Sequence, residues 1–182
     1  MKKEFDPRRL DVRAFAEEAG RLAGEDRLGN HTRLMTETQG RGADAPLVWS
    51  AQGELRNPHH VRPEIWLRLQ ARTALALTCQ RCMQPVGVEV EVDRPFRFVE
   101  DESIAMAQDD SSEEDLLALS RSFDLMELIE DELLMDMPVA PRHEVCPMPV
   151  NLAVADEDFE SDAPERENPF ALLQGMKTRK PG

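Results

Sequence analysis

A long run of strict alternation constrains this chain more than any other feature. From Glu64 to Thr78 the odd positions read Ile65, Leu67, Leu69, Ala71, Thr73, Leu75 and Leu77. The even positions carry Glu64, Trp66, Arg68, Gln70, Arg72, Ala74, Ala76 and Thr78. Successive side chains of a strand point to opposite faces, so period two over this length predicts one strand with a single buried face. A second alternation sets Val88, Val90, Val92, Phe96 and Phe98 against Glu89, Glu91, Asp93 and Arg97, with Arg94 the exception beside Pro95. Joined by CQRCMQPVG, the two strands predict an antiparallel hairpin with a C-x-x-C at its tip.

Shorter signals surround this hairpin. Asp11 is placed to cap a helix over about 11–23, ending before Gly24. Gly40 to Pro46 reads as loop, and Leu47 to Leu55 as a short strand with Trp49 as its largest apolar side chain. Residues 100–115 carry eight acidic side chains and no basic one, with few large apolar groups between them. Ordering such a segment gains little burial, so a mobile acidic loop is expected over about 100–122. FDLMELIEDELLMDM then reads as a helix over 123–136. Asp124 and Glu127 resemble a capping box, Leu125, Leu128, Ile129 and Leu133 form one stripe, and Pro138 and Pro141 end it.

The expected fold is therefore α+β: an antiparallel sheet, with closure into a small barrel as the alternative, covered by an N-terminal helix and the 123–136 helix. Residues 1–150 read as one domain. Residues 151–182 read as an acidic, largely disordered tail holding a short apolar segment, NPFALLQGM. Its Phe170, Leu172 and Leu173 are candidate anchors for a partner, or for folding back onto the domain.

Charge and cysteine usage narrow the class. The net charge of −14 is uneven: residues 1–97 hold 16 Lys/Arg against 14 Asp/Glu, and residues 98–182 hold 6 against 22. Nucleic-acid affinity comes largely from Lys/Arg replacing condensed counterions, so an acidic second half favours a basic protein partner over RNA alone. The charged start, MKKEFDPRRL, has no apolar stretch behind it, and no run approaches the roughly 18 apolar residues of a membrane span. Three cysteines, Cys79, Cys82 and Cys146, do not make a secreted disulfide framework. The expectation is a cytoplasmic protein with reduced thiols and no membrane segment.

Several pieces, in order and spacing, resemble the YceD family, the large ribosomal RNA subunit accumulation proteins of bacteria. They are the strand running into CQRC with Pro85 after it, the acidic middle segment, DLMELIEDELLMDMPVAPRH, a nearby cysteine, and NPFALLQGMK. The match covers about residues 60–182. The resemblance implies a ribosome biogenesis factor needed for accumulation or processing of 23S ribosomal RNA, and not an enzyme. Genes of this family commonly neighbour that of a small basic large-subunit ribosomal protein. Such a protein, or a pre-ribosomal particle, is thus the implied partner, in keeping with the charge map.

The chemistry-bearing residues support two kinds of site. A C-x-x-C at a hairpin tip brings two thiolates within reach of one tetrahedral ion, and His143 with Cys146 supplies an H-x-x-C just after the helix. Cys79, Cys82, His143 and Cys146 are therefore a candidate structural zinc site, set against a cluster that only packs. A thioredoxin-like role is disfavoured, because this C-x-x-C lies between strands and lacks a helix N-terminus. Trp66, Arg68, Arg72, Arg94 and Arg97 are a candidate RNA-binding face, since an aromatic among arginines can stack and pair with RNA. The plain alternative is a solvated sheet face. On that alternative function the chain is a direct RNA-binding module recruiting a processing nuclease. No Walker loop, G-x-S-x-G, H-E-x-x-H or Rossmann glycine pattern supports catalysis.

Overall fold

The computed structural model describes residues 4–60, 63–109 and 111–148. Five strands form one open sheet in chain order: β1 (Arg21–Arg27), β2 (Pro46–Arg56), β3 (Glu64–Thr78), β4 (Pro85–Val99) and β5 (Asp115–Ala118). The first four are antiparallel neighbours, and β5 joins β4 in parallel. With β1 and β5 as its two edges, the sheet does not close into a barrel. Among the described residues four α-helices accompany it: α1 (Val12–Glu17), α2 (Thr32–Glu37), α3 (Glu102–Asp109) and α4 (Leu125–Met135). The fold is α+β.

The β3–β4 hairpin is the frame. Its register runs unbroken from Ile65 opposite Phe98 to Thr78 opposite Pro85. Every odd residue of β3 from Ile65 to Leu77 is buried, and Val86, Val90, Val92, Phe96 and Phe98 are buried with them. The one polar member of that row, Thr73, donates its hydroxyl to the Pro46 carbonyl at 3.0 Å. Pairing with β2 brings Trp49 and Ala51 to the same face. Helices α1 and α4 cover this face through Val12, Phe15 and Ala16, and through Leu125, Met126, Ile129 and Leu133. No helix among the described residues is long and apolar enough to cross a membrane.

Three segments depart from the sequence expectation. The N-terminal helix occupies only Val12–Glu17, not 11–23. Asp11 caps it as expected, accepting from Ala14 N–H at 3.1 Å. It ends early because Ala19 takes a positive φ of 46° and Gly20 N–H closes on the Phe15 carbonyl at 2.8 Å. Leu22 is consequently on a strand. Secondly, no sequence signal marks α2; its free N-terminal N–H groups are capped from afar by Glu130, whose Oε1 accepts from Arg33 N at 2.8 Å and Leu34 N at 3.2 Å. Arg33 completes the clamp by bonding Glu130 and Asp131.

The third departure is the acidic segment 100–122, expected as a loop, which carries α3 and β5. Burial of side chains is modest there, as anticipated, with Ala105 the buried residue of α3. Backbone pairing is what the sequence reading left out. The outer edge of β4 has unpaired N–H and C=O groups that a strand can satisfy. Residues Asp115–Ala118 pair there opposite Phe96–Val99, and Leu119 N–H extends the contact to Val99 O at 2.8 Å. Parallel pairing demands a crossover, and α3 lies within it.

Two close contacts generate tests. A Cβ on Gly53 would lie 2.7 Å from the Phe15 carbonyl oxygen and 2.9 Å from Ala16 Cα, both backbone atoms of α1. Gly53→Ala is therefore expected to destabilise the domain by about 2–3 kcal/mol, read by denaturant melts. Glu132 is buried, its Oε2 has no hydrogen-bond partner, and Arg94 lies 3.5 Å away. Burial raises its carboxyl above the usual range; Arg94 opposes the rise, while Asp115, Asp131 and Asp136 add to it. A carboxyl whose folded pKa is raised contributes stability at low pH and loses it as pH rises through that pKa. Glu132→Gln is thus expected to raise the thermal midpoint at pH 8 by roughly 1–4 °C, with no gain at pH 3. An equal gain at both pH values would count against this account.

Candidate metal centre

Strand β3 ends at Thr78 and β4 begins at Pro85, leaving Cys79–Gln84 as the hairpin tip. Two backbone bonds close the tip: Cys79 N–H to Gln84 O and Met83 N–H to Cys79 O, both 2.9 Å. Met83 adopts φ of 60°, a left-handed turn of the chain that returns it to β4. Backbone N–H groups of Arg81 and Cys82 are thereby turned onto the Cys79 sulfur. From Asp136 to Met148 the chain runs without helix or strand, and Gln80 N–H binds this stretch through the Pro141 carbonyl at 2.8 Å. That contact sets His143 and Cys146 against the tip.

Four ligand atoms converge. The sulfurs and imidazole of Cys79, Cys82, His143 and Cys146 all lie within 4.8 Å of one another. Cys79 Sγ and Cys146 Sγ are 4.0 Å apart, and Cys82 Sγ is 3.4 Å from His143 Nδ1. Tetrahedral zinc, with bonds of about 2.3 Å to sulfur and 2.0–2.1 Å to nitrogen, requires S···S near about 3.8 Å and S···N near about 3.5 Å. The donor set fits such an ion. Its outer contacts fit as well: His143 Nε2 lies 3.0 Å from the Pro85 carbonyl, which only accepts. Nε2 therefore carries the proton, and Nδ1 turns its lone pair inward.

The thiols already respond to one another. Burial alone would raise Cys79, but N–H groups of His143, Arg81 and Cys82, together with the His143 imidazole, bring it down to about 5. Burial pushes Cys82 up; the Gln84 N–H opposes this, and the neighbouring Cys146 and Cys79 add to the rise. All three cysteines are free.

Residues 67–177 match the family model described as large ribosomal RNA subunit accumulation protein YceD. The chain belongs to that family. The match starts within β3 and spans the tip, β4, α3, β5, α4 and all four cluster residues. No solved structure matches the chain.

The residues read as an RNA-binding face are less united than their alternation suggested. Trp66 is on the sheet face away from α1 and α4, but it is buried. Its indole donates to Glu64 Oε2 at 3.1 Å, and the Arg56 guanidinium lies 3.9 Å from its ring centroid. Arg68 forms a two-pronged bond with Asp93, at 2.8 Å for each prong. Arg68 and Gln70 hold the Asp93 carboxyl well below its usual range, at about 2. Arg97 leans on Ser112 and Gln108. Arg94 is on the opposite face, as its pairing with Leu69 dictates, bridging Asp115 and Glu132. Arg72 alone of the four arginines has no ion-pair or hydrogen-bond partner among the described residues. Phe170, Leu172 and Leu173 lie outside the described residues.

Arg56 is the part of this face that the alternation missed, because it sits at the last position of β2 and its role depends on crossing to β3. Arg56→Ala is expected to cost about 0.5–1 kcal/mol and to uncover Trp66, shifting tryptophan emission to longer wavelength and increasing quenching by acrylamide. Unchanged quenching would mean that Arg56 does not shield the ring.

Proposed function

We propose that this chain is a non-catalytic, cytoplasmic ribosome biogenesis factor required for accumulation of 23S ribosomal RNA. It acts by binding a basic large-subunit ribosomal protein or a pre-ribosomal particle, and Cys79, Cys82, His143 and Cys146 hold one structural zinc ion. The family match over residues 67–177 carries the ribosomal part of this reading. The zinc part is supported by four donors from two distant segments meeting within 4.8 Å of one another, with two of their separations, 4.0 and 3.4 Å, near those of a tetrahedral site. Bound there, zinc would tie the segment after α4 to the hairpin tip.

The basic partner is supported by charge. Residues 98–182 hold 22 acidic against 6 basic side chains. The direct RNA reading finds less support, since Trp66 is capped, Arg68 is neutralised by Asp93 and Arg94 faces the helices. Fields of opposite sign speed association and select partners, and they weaken as salt rises.

Chain purified without chelators is expected to contain one zinc per molecule. Cys79→Ser should lower both zinc content and the thermal midpoint, the latter by about 5 °C or more, equivalent to about 2 kcal/mol. Zinc-free protein with an unchanged Cys79→Ser midpoint would remove the metal from the proposal. In cells lacking the gene, the ratio of large- to small-subunit ribosomal RNA is expected to fall and to recover with the wild-type chain; an unaltered ratio would sink the ribosomal role. Titration of the purified chain with a basic large-subunit ribosomal protein and with 23S fragments, across a salt series, separates the partners. Tighter, salt-sensitive binding to the protein is the expected result, and stronger binding to RNA would reverse the assignment.

A further inference from the structure

We infer that Arg81 is the positioning residue of the metal centre, holding Cys146 in place and balancing the charge that three thiolates leave on a bound divalent ion. The inference rests on the reading that the cluster holds a metal. The four ligands are not supported alike. Cys79 and Cys82 belong to the turn itself, whose N–H groups face their sulfurs. His143 is fixed by the Pro85 carbonyl. Cys146 lies on a stretch without helix or strand, from Asp136 to Met148. Besides the sulfurs of Cys79 and Cys82, the side chain that meets its sulfur among the described residues is Arg81, with Nε at 3.0 Å.

Arg81 is well placed for this. It sits between the two cysteines of the C-x-x-C, so the turn that aims their sulfurs also fixes its own backbone. From there the side chain crosses to the other half of the site. While Nε meets the sulfur, Nη2 reaches the His143 carbonyl at 2.6 Å and the Glu144 carbonyl at 3.1 Å. One rigid guanidinium thus grips three atoms of residues 143–146, a geometry that a single ammonium cannot reproduce. The charge argument is independent of the geometry. Three thiolates, one neutral imidazole and one dication sum to a single negative charge, and the guanidinium brings the site to neutrality. Hydrogen bonds of this outer kind orient ligands and tune the metal, and losing one typically weakens metal binding 10–100-fold.

The test uses the full chain loaded with zinc, and separately with cobalt. Zinc transfer to a coloured chelator and the cobalt absorption spectrum are compared for wild type, Arg81→Ala, Arg81→Lys and Gln80→Ala. Gln80 is the control, because among the described residues its side chain reaches only the Thr78 carbonyl, at 3.5 Å. Arg81→Ala is expected to weaken zinc binding about 10–100-fold and to reduce the sulfur-to-cobalt charge-transfer band as Cys146 leaves. Arg81→Lys, which keeps the charge but not the fork, should fall between Ala and wild type, and Gln80→Ala should match wild type. If Arg81→Ala does not fold, several-fold faster zinc release from Arg81→Lys carries the same weight. Wild-type chain that takes up neither metal overturns the metal reading itself. Wild-type chain that binds both, with Arg81→Ala and Arg81→Lys indistinguishable from it, overturns the role of Arg81 alone.

Discussion

The register of β3 against β4 is the constraint on which the rest of this molecule depends. Fourteen residue pairs, from Ile65 opposite Phe98 to Thr78 opposite Pro85, fix which side chains face the helices and which face solvent. A slip of one residue would send Leu67, Leu69 and Leu75 to the outer face and bring Arg68, Gln70 and Arg72 into the core. The same register sets the length of the tip. With Thr78 and Pro85 paired, six residues remain, enough to turn the chain and aim Cys79 and Cys82 at one point. Core and candidate centre are thus two consequences of one pairing.

The segment after α4 is held by different forces. Val139 and Val145 are exposed, so apolar burial gives this stretch little reason to stay on the domain. What holds it is polar: Gln80 to Pro141, His143 to Pro85, and Arg81 to Cys146 and two carbonyls. Each such bond contributes a modest net stabilisation, about 0.5–1.5 kcal/mol or somewhat more where charge assists. Ordering the residues from Met137 to Cys146 costs at least as much in conformational entropy. A metal bridging both halves would tip that balance decisively, since zinc binding to such ligand sets is itself a folding energy.

How much of this could be read from residue order varies with the range of the interaction. Strand β3 was legible to its last residue because Ile65 through Leu77 alternate without a fault, and α4 because Asp124 and its leucine stripe are local signals. The antiparallel sheet was legible too, but not whether it closed into a barrel, nor the parallel fifth strand, since edges are a property of neighbours. Segment 100–122 looked like solvated loop because its side chains are acidic; the order of β5 within it comes from backbone pairing with β4, which leaves no mark on composition. The short helix α2 depends on a carboxylate 97 positions away, Glu130 on Arg33. The cluster itself was legible as four residue types at two spacings. Its outer contacts, Arg81 above all, were not, because nothing about an arginine inside a C-x-x-C says where its side chain goes.

The outer sheet face bears on which partner the fold suits. Binding to a polynucleotide gains most from cations whose counterions are released on contact. An arginine already engaged by a carboxylate releases few, and its partner repels phosphate once displaced. Arg68 is in that position, since it holds Asp93 so firmly that the carboxyl titrates at about 2. Glu91 stands opposite Arg72 in the register, and Glu54 opposite Trp66. Facing phosphates, this surface would have to break its own pairs before gaining new ones. A basic protein meets no such cost at the carboxylates of α3, β5 and α4, where Glu102, Glu113, Glu114 and Asp136 are among the exposed or half-exposed acids. Of the four candidate RNA-face arginines, Arg68, Arg94 and Arg97 are engaged by other side chains, and Arg72 has no partner among the described residues. A surplus of anions lies beyond the sheet, a distribution that suits a cationic surface better than phosphates.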